Sequence, residues 1–192
     1  MFLRNRPVGR SLSALFVLAA AAACVTAHTA ECAQIGWVPP VTVFANVPPG
    51  AVAASHFISS RYRVPPARAR RIARVAFRVS REHRLDPYLV LAVIAVESSF
   101  RPHVVNLRGA AYGLMQIAVK VHERRVAAIG GRRRLFLIAP NIRIGVALLA
   151  QYGARVRSQV KHALWRYSGG AYGYAHKVLR LREALERRAQ QL

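Results

Sequence analysis

Glu97 is the residue whose surroundings most need a chemical explanation. The chain holds seven acids, and this one follows directly on nine apolar residues, Tyr88 to Val96, in the stretch YLVLAVIAVESSF. Desolvation by apolar neighbours disfavours the charged form of a carboxyl. If the stretch is a helix, its negative end acts in the same direction. A carboxyl kept protonated near neutral pH can serve as a general acid. A plainer reading has the helix surface at Glu97, with water solvating the carboxylate. The segment alone leaves both readings open.

The remaining acids decide what kind of acid chemistry is on offer. Cleavage of a glycosidic bond by paired carboxylates needs the two groups about 5–10 Å apart. Asp86 precedes Glu97 by eleven residues, so one helix would hold them about 16 Å apart. Asp86-Pro87 also reads as an N-cap followed by proline at the first helical position. Glu82 falls on the preceding helix, Glu31 near the leader, and Glu183 and Glu186 on an Arg-laden terminal helix. Glu123 remains, within the charged, surface-looking run HERR. A catalytic Glu97 is therefore expected to act alone. No metal or cofactor is expected: the histidines are scattered, and VHERR lacks a second His at ligating spacing.

The elements that must position Glu97 are helical. Ile72, Val75, Ala76, Val79 and His83 form one stripe at helical spacing, with arginines on the opposite face. The helix opening at Pro87 is apolar all round until its end, as a core helix is. Asn106 to Tyr112 reads as a loop. Further helices are expected near Gln116–Ala128, Asn141–Arg155 (with Pro140 closing the loop before it), Gln159–Tyr167 and Ala171–Arg188, with a break at Ser168-Gly169-Gly170. No segment alternates with period two, so the expectation is a small, mainly α domain over residues 67–192. Residues 28–66 read as a Pro-rich arm, because Gln34–Pro66 carries six of the ten prolines, in the pairs Pro39–Pro40, Pro48–Pro49 and Pro65–Pro66. Val43, Phe44, Phe57 and Ile58 are expected to pack part of that arm onto the domain.

Residues 1–27 read as a secretory signal peptide. Arg4, Arg6 and Arg10 precede an uncharged run from Ser11 to Ala30, and VTA at Val25–Ala27 offers a cleavage site. An uncleaved membrane anchor and lipidation at Cys24 are the alternatives, though AAAC lacks the large aliphatic residue usual in a lipobox. Cleavage after Ala27 leaves Cys32 alone, outside any motif. The chain is thus expected to be exported and periplasmic, or membrane-associated if the leader is kept or lipidated. The formal charge is +23, and cleavage would remove three arginines and no acid. Such a field draws polyanions: nucleic acid, anionic lipid or an anionic wall. All cations but Lys120, Lys161 and Lys177 are arginine, which suits phosphate contacts and equally suits a nucleotide bias of the parent genome. Arginines without interleaved aromatics or a reader motif give only weak support for a nucleic-acid-binding module, and an export signal argues against one.

Four blocks in order resemble the soluble lytic transglycosylases: LDPYLVLAVIAVESSF (Leu85–Phe100), GLMQI (Gly113–Ile117), NIRIGVALL (Asn141–Leu149) and ALWRYSGG (Ala163–Gly170). The resemblance covers about Ile72 to Val178. It implies a lysozyme-like fold and cleavage of the β-1,4 bond between N-acetylmuramic acid and N-acetylglucosamine in peptidoglycan. It also implies one catalytic carboxyl, Glu97, which protonates the leaving oxygen. The carboxylate then takes the proton of the muramoyl C6 hydroxyl as a 1,6-anhydro ring closes. Ser98 is implied to support the site by hydrogen bonding, and Met115 and Gln116 to line the glycan cleft. Tyr167 is implied to bring its hydroxyl near the catalytic carboxyl.

Three departures bear on glycan register. Ser168 stands where the family often has Asn after the Tyr, and Asn106 stands where it commonly has Ser, nine residues after the Glu. Val119 and Val121 replace a usual Pro and Thr. The chain shares a Tyr before GLMQ, here Tyr112, with a subset of members. Expected partners are glycan strands and, for small exported members, an envelope secretion or conjugation apparatus; the expected state is a monomer. The competing functions are a lysozyme-type hydrolase giving reducing ends, and a non-catalytic cationic wall-binding domain.

Overall fold

The proline pairs start helices instead of preventing them. A computed structural model describes residues 47–108 and 110–191. In it the helix α1 (Pro49–Tyr62) begins at the second proline of one pair and α2 (Pro66–Glu82) at the second proline of another. Proline at the first helical position loses no hydrogen bond, because that N–H has no partner within the helix, and its fixed φ suits helical geometry. The irregular-arm reading is corrected over residues 49–62. That helix buries Ala51, Ala54 and Ile58 in the same core as the rest, so the helical body starts before residue 67. The leader, the possible lipidation at Cys24, Cys32, Val43, Phe44 and the pair Pro39–Pro40 lie outside the described residues.

The remaining order is α3 (Pro87–Ser98), β1 (Val105–Asn106), β2 (Ala111–Tyr112), β3 (Ile117–Ala118), α4 (Glu123–Ala128), α5 (Ile138–Gln151), α6 (Val160–Tyr167) and α7 (Tyr174–Gln190). Short 3-10 turns at Arg132–Phe136 and Arg157–Gln159 precede α5 and α6. The fold is mainly helical, as its composition and spacing suggest. Its centre is α3, buried continuously from Leu89 to Ala95 and packed against α2 and α7. Asp86 caps it, its carboxylate accepting the Tyr88 N–H at 2.8 Å. The other carboxylate oxygen binds Arg182 of α7 at 2.6 Å, so a single acid fixes both the start of α3 and the position of α7.

Two expected helices change their bounds. Gln116–Ala128 is helical only from Glu123. Gln116 takes a left-handed φ of 47°, and Ile117 and Ala118 pair with Tyr112 and Ala111 as the third strand of an antiparallel sheet in the order β1-β2-β3. Burial of Ile117 in that pairing outweighs local helix preference. The Asn106–Tyr112 loop supplies the other two strands, in the register Val105↔Tyr112 and Asn106↔Ala111. Pro140 does not close a loop before Asn141. It is the third residue of α5, within the first turn, where a missing N–H costs no intrahelical bond.

Candidate active site

Glu97 occupies the last turn of α3, just before the chain leaves the core. Two residues in succession, Ser99 (φ 50°) and Phe100 (φ 62°), then adopt the left-handed conformation, which costs a non-glycine residue on the order of 1–2 kcal/mol each. Core packing supports the strain at Phe100: its ring is fully buried and meets the Tyr62 ring edge-on at 4.8 Å. The sharp turn ends α3 one residue after Glu97, at Ser98, and sends the chain towards the small sheet.

The Glu97 carboxyl is half-buried and accepts a hydrogen bond from the Tyr174 hydroxyl at 2.5 Å through Oε1. Its Oε2 has no hydrogen-bond partner among the described residues. Burial raises its pKa above the ordinary carboxyl value, while the Tyr174 hydroxyl and the Lys177 ammonium pull it partly back. Burial and the facing carboxylate together push the Tyr174 phenol far up, so Tyr174 stays a donor at any working pH. Among the described residues no second carboxylate bears on Glu97. Asp86 and Glu186 pair with Arg182, Glu183 with Arg187, and Glu82 and Glu123 are exposed. The solvated-carboxylate reading of the sequence gives way to the desolvated one.

The loop carrying Gly113 to Gln116 is tied to α3 and α5 by buried polar bonds. The buried Ser98 hydroxyl donates its one proton to the Leu114 carbonyl at 2.8 Å, with the Ile94 carbonyl sharing it at 3.1 Å. Asn141 of α5, without any exposed surface, accepts the Met115 N–H at 2.8 Å. It donates to the carbonyls of Tyr112 (2.9 Å) and Leu135 (2.8 Å). Gly113 sits at φ 80°, and a Cβ there would collide with the Leu135 carbonyl and the Asn141 amide. Gln116 donates from Nε2 to the carbonyls of Val104 (3.1 Å) and Gly113 (2.9 Å). Its Oε1 has no partner among the described residues.

A family model for the transglycosylase SLT domain matches residues 74–189. The chain belongs to this family. Membership gives it a lytic-transglycosylase-type, peptidoglycan-degrading function in general, with peptidoglycan as substrate, and agrees with the lysozyme-like, mainly helical fold. No curated protein and no solved structure matches the chain.

Within this SLT domain the residues singled out by sequence fall into different places. Ser98 sits beside Glu97 as a buried tie. The Met115 side chain is enclosed in the core, its sulfur against Gly145 of α5, so only its backbone serves the site; the expectation that it lines the cleft is corrected. Tyr167 lies close enough to Glu97 for the carboxylate, after burial, to raise its phenol well above the ordinary value. Its hydroxyl, however, donates to the Met115 carbonyl at 2.8 Å, leaving Tyr174 as the phenol on the carboxyl. Asn106 is exposed at the outer strand, paired with Ala111.

Tyr174, Lys177 and Asn141 were not singled out as site residues by the sequence. Asn141 opens the NIRIGVALL block, but nothing in spacing marks it as a three-way buried bridge. Tyr174 follows Gly173, whose φ of 72° turns the chain into α7, and only the crossing of α7 over α3 brings it to Glu97. Among the described residues no group of His, Cys, Asp and Glu could hold a metal ion. The arrangement sets a half-buried carboxyl of raised pKa on the hydroxyl of Tyr174.

Proposed function

We propose that the protein is a peptidoglycan lytic transglycosylase in which Glu97 works alone as acid and then base. The observation that carries this reading is the half-buried Glu97 carboxyl on Tyr174, with its pKa raised and no second carboxylate beside it among the described residues. The protonated carboxyl gives its proton to the glycosidic oxygen as the bond from C1 of N-acetylmuramic acid to that oxygen breaks. The electron pair leaves with the oxygen of N-acetylglucosamine. Glu97, now a carboxylate, removes the proton of the C6 hydroxyl of the same muramoyl residue. That oxygen closes on C1 to give the 1,6-anhydro product. No water is consumed, and Glu97 ends protonated. The attacking hydroxyl belongs to the ring being attacked, so its effective concentration is high without a second catalytic acid.

In this reading Tyr174 is a positioning residue that holds one carboxyl oxygen and leaves Oε2 to carry the proton. Lys177 tempers the pKa from outside. Gln116 offers Oε1 as an acceptor to a sugar acetamido N–H, and Ser98, Asn141 and the Met115 backbone hold the loop that presents it. Asn106 on the exposed strand is a further polar contact for the glycan. The leader-like Arg4–Ala27 supports export to the wall compartment. Treatment of purified sacculi should release anhydro-muropeptides, and Glu97→Gln should lower that release by about 10²–10⁴-fold. Reducing-end products from the wild-type chain would assign a hydrolase instead.

A further inference from the structure

The exposed face of α2 is a row of arginines. We propose that this row docks the protein on an anionic bilayer, with the axis of α2 along the membrane surface and its guanidiniums on the lipid phosphates. The proposal is independent of the Glu97 chemistry above.

The row follows from the helix period. Between residues 70 and 81 the exposed positions are Arg70, Arg71, Arg74, Arg78 and Arg81, and no others. At roughly 3.6 residues per turn these five fall within an arc of about 100° and extend over about 16 Å. The opposite face is committed to the core through Ile72, Val75, Ala76 and Val79. The helix therefore has no apolar surface to insert and meets a membrane through charge alone. None of the five arginines makes an ion pair, a side-chain hydrogen bond or a ring contact among the described residues. Glu82, the one acid of α2, stands past the end of the row. Like charges held along one rigid helix repel one another, and a layer of anions relieves that repulsion. An arginine-rich composition by itself would scatter cations among other exposed residues. Here no other residue type is exposed over about three turns.

Shape and chemistry favour a bilayer over a polymer. Arginine binds phosphate at two points, and a cluster of this size on an amphipathic helix suits anionic headgroups. None of the five lines the cavity beside α1 or the one beside α4, so neither of these concavities guides a strand along the row. Phe77, the one aromatic of α2, is half-buried edge-on against Tyr88 at 5.4 Å. That leaves no ring among the arginines for a nucleic-acid base to stack on.

The test measures co-sedimentation of the full chain, at low salt, with vesicles of equal parts phosphatidylglycerol and phosphatidylcholine. Arg71→Gln/Arg74→Gln/Arg78→Gln should weaken binding about a hundredfold, each arginine near an anionic surface contributing about fivefold. Arg124→Gln/Arg143→Gln/Arg180→Gln removes the same charge from exposed positions on α4, α5 and α7. This second variant should weaken binding less than about fivefold, because charges away from the membrane are screened. Thermal melts establish that both variants fold. Vesicles of phosphatidylcholine alone register any binding through the uncharged run Ser11–Ala30, which neither variant touches. Equal losses in the two variants would overturn the proposal in favour of net charge. Unchanged binding of the α2 variant, or no gain from phosphatidylglycerol over phosphatidylcholine, would overturn it as well. So would a soluble polyphosphate that displaces the wild type from the vesicles at equal phosphate concentration, which would assign the row to a polymer.

Discussion

At the scale of single residues, Glu97 is governed by three neighbours of opposed effect: apolar surroundings that raise its pKa, and Tyr174 and Lys177 that lower it. A general acid must be protonated, so activity should fall as pH rises through the raised pKa of Glu97. Tyr174→Phe removes a donor that favours the carboxylate, so this alkaline limb should move to higher pH. The rate at its optimum should drop about tenfold, the effect of one lost hydrogen bond to a charged group. Lys177→Met should move the limb the same way with a smaller loss. pH–rate profiles of the three proteins check both shifts. The raised pKa also bears on stability. The folded state binds the Glu97 proton more tightly than the unfolded chain, so the group's contribution is fully present below the ordinary carboxyl pKa, 4.5, and is lost as pH rises through the folded value. Glu97→Gln should therefore melt at a higher temperature than the wild type at neutral pH, with the gap closing below about pH 4.5. The desolvation of Glu97 was one of two readings legible in the nine residues before it. Tyr174 was not legible, because its contact spans 77 residues and depends on how two helices cross.

At the scale of elements, the Gly113–Gln116 loop is tied to α5 through Asn141, to α3 through Ser98 and to α6 through Tyr167. Asn141 satisfies two carbonyls and one N–H in a place water does not reach. Asn141→Ala should cost about 2–4 kcal/mol, since buried partners left without a bond carry the full desolvation penalty. Asn141→Asp should do no better, as it keeps the acceptor, loses both donors and buries a charge. Urea unfolding of the two variants measures this. Helix α2 was readable from the periodicity of its one buried stripe, and α3 from its unbroken apolar run behind the Asp86-Pro87 start. The helix expected over Gln116–Ala128 failed over its first half, where the left-handed Gln116 and the pairing of Ile117 with Tyr112 are decided by the rest of the fold. Proline misled in both directions: at Pro49, Pro66 and Pro140 it sits in a first turn, where it starts a helix as readily as it ends one.

At the scale of the whole molecule, the mainly helical body places an acid-poor site within a strongly basic chain. The described acids other than Glu97 either pair with arginine or lie at the surface. Of the residues the sequence blocks carry, Glu97, Ser98 and Tyr167 lie together, whereas Met115 is enclosed in the core and Asn106 stands on the outer strand. Helix α3 delivers Glu97, α7 delivers Tyr174 and Lys177, and α5 holds the loop between them. Among the described residues no helix is long and apolar enough to cross a membrane. The central claim, one carboxyl serving as acid and then base, is tested most directly by mass spectrometry of muropeptides from purified sacculi treated with wild-type and Glu97→Gln protein. The account predicts 1,6-anhydro products from the wild type and almost none from a variant that melts at least as high. Undiminished anhydro products from Glu97→Gln would contradict it.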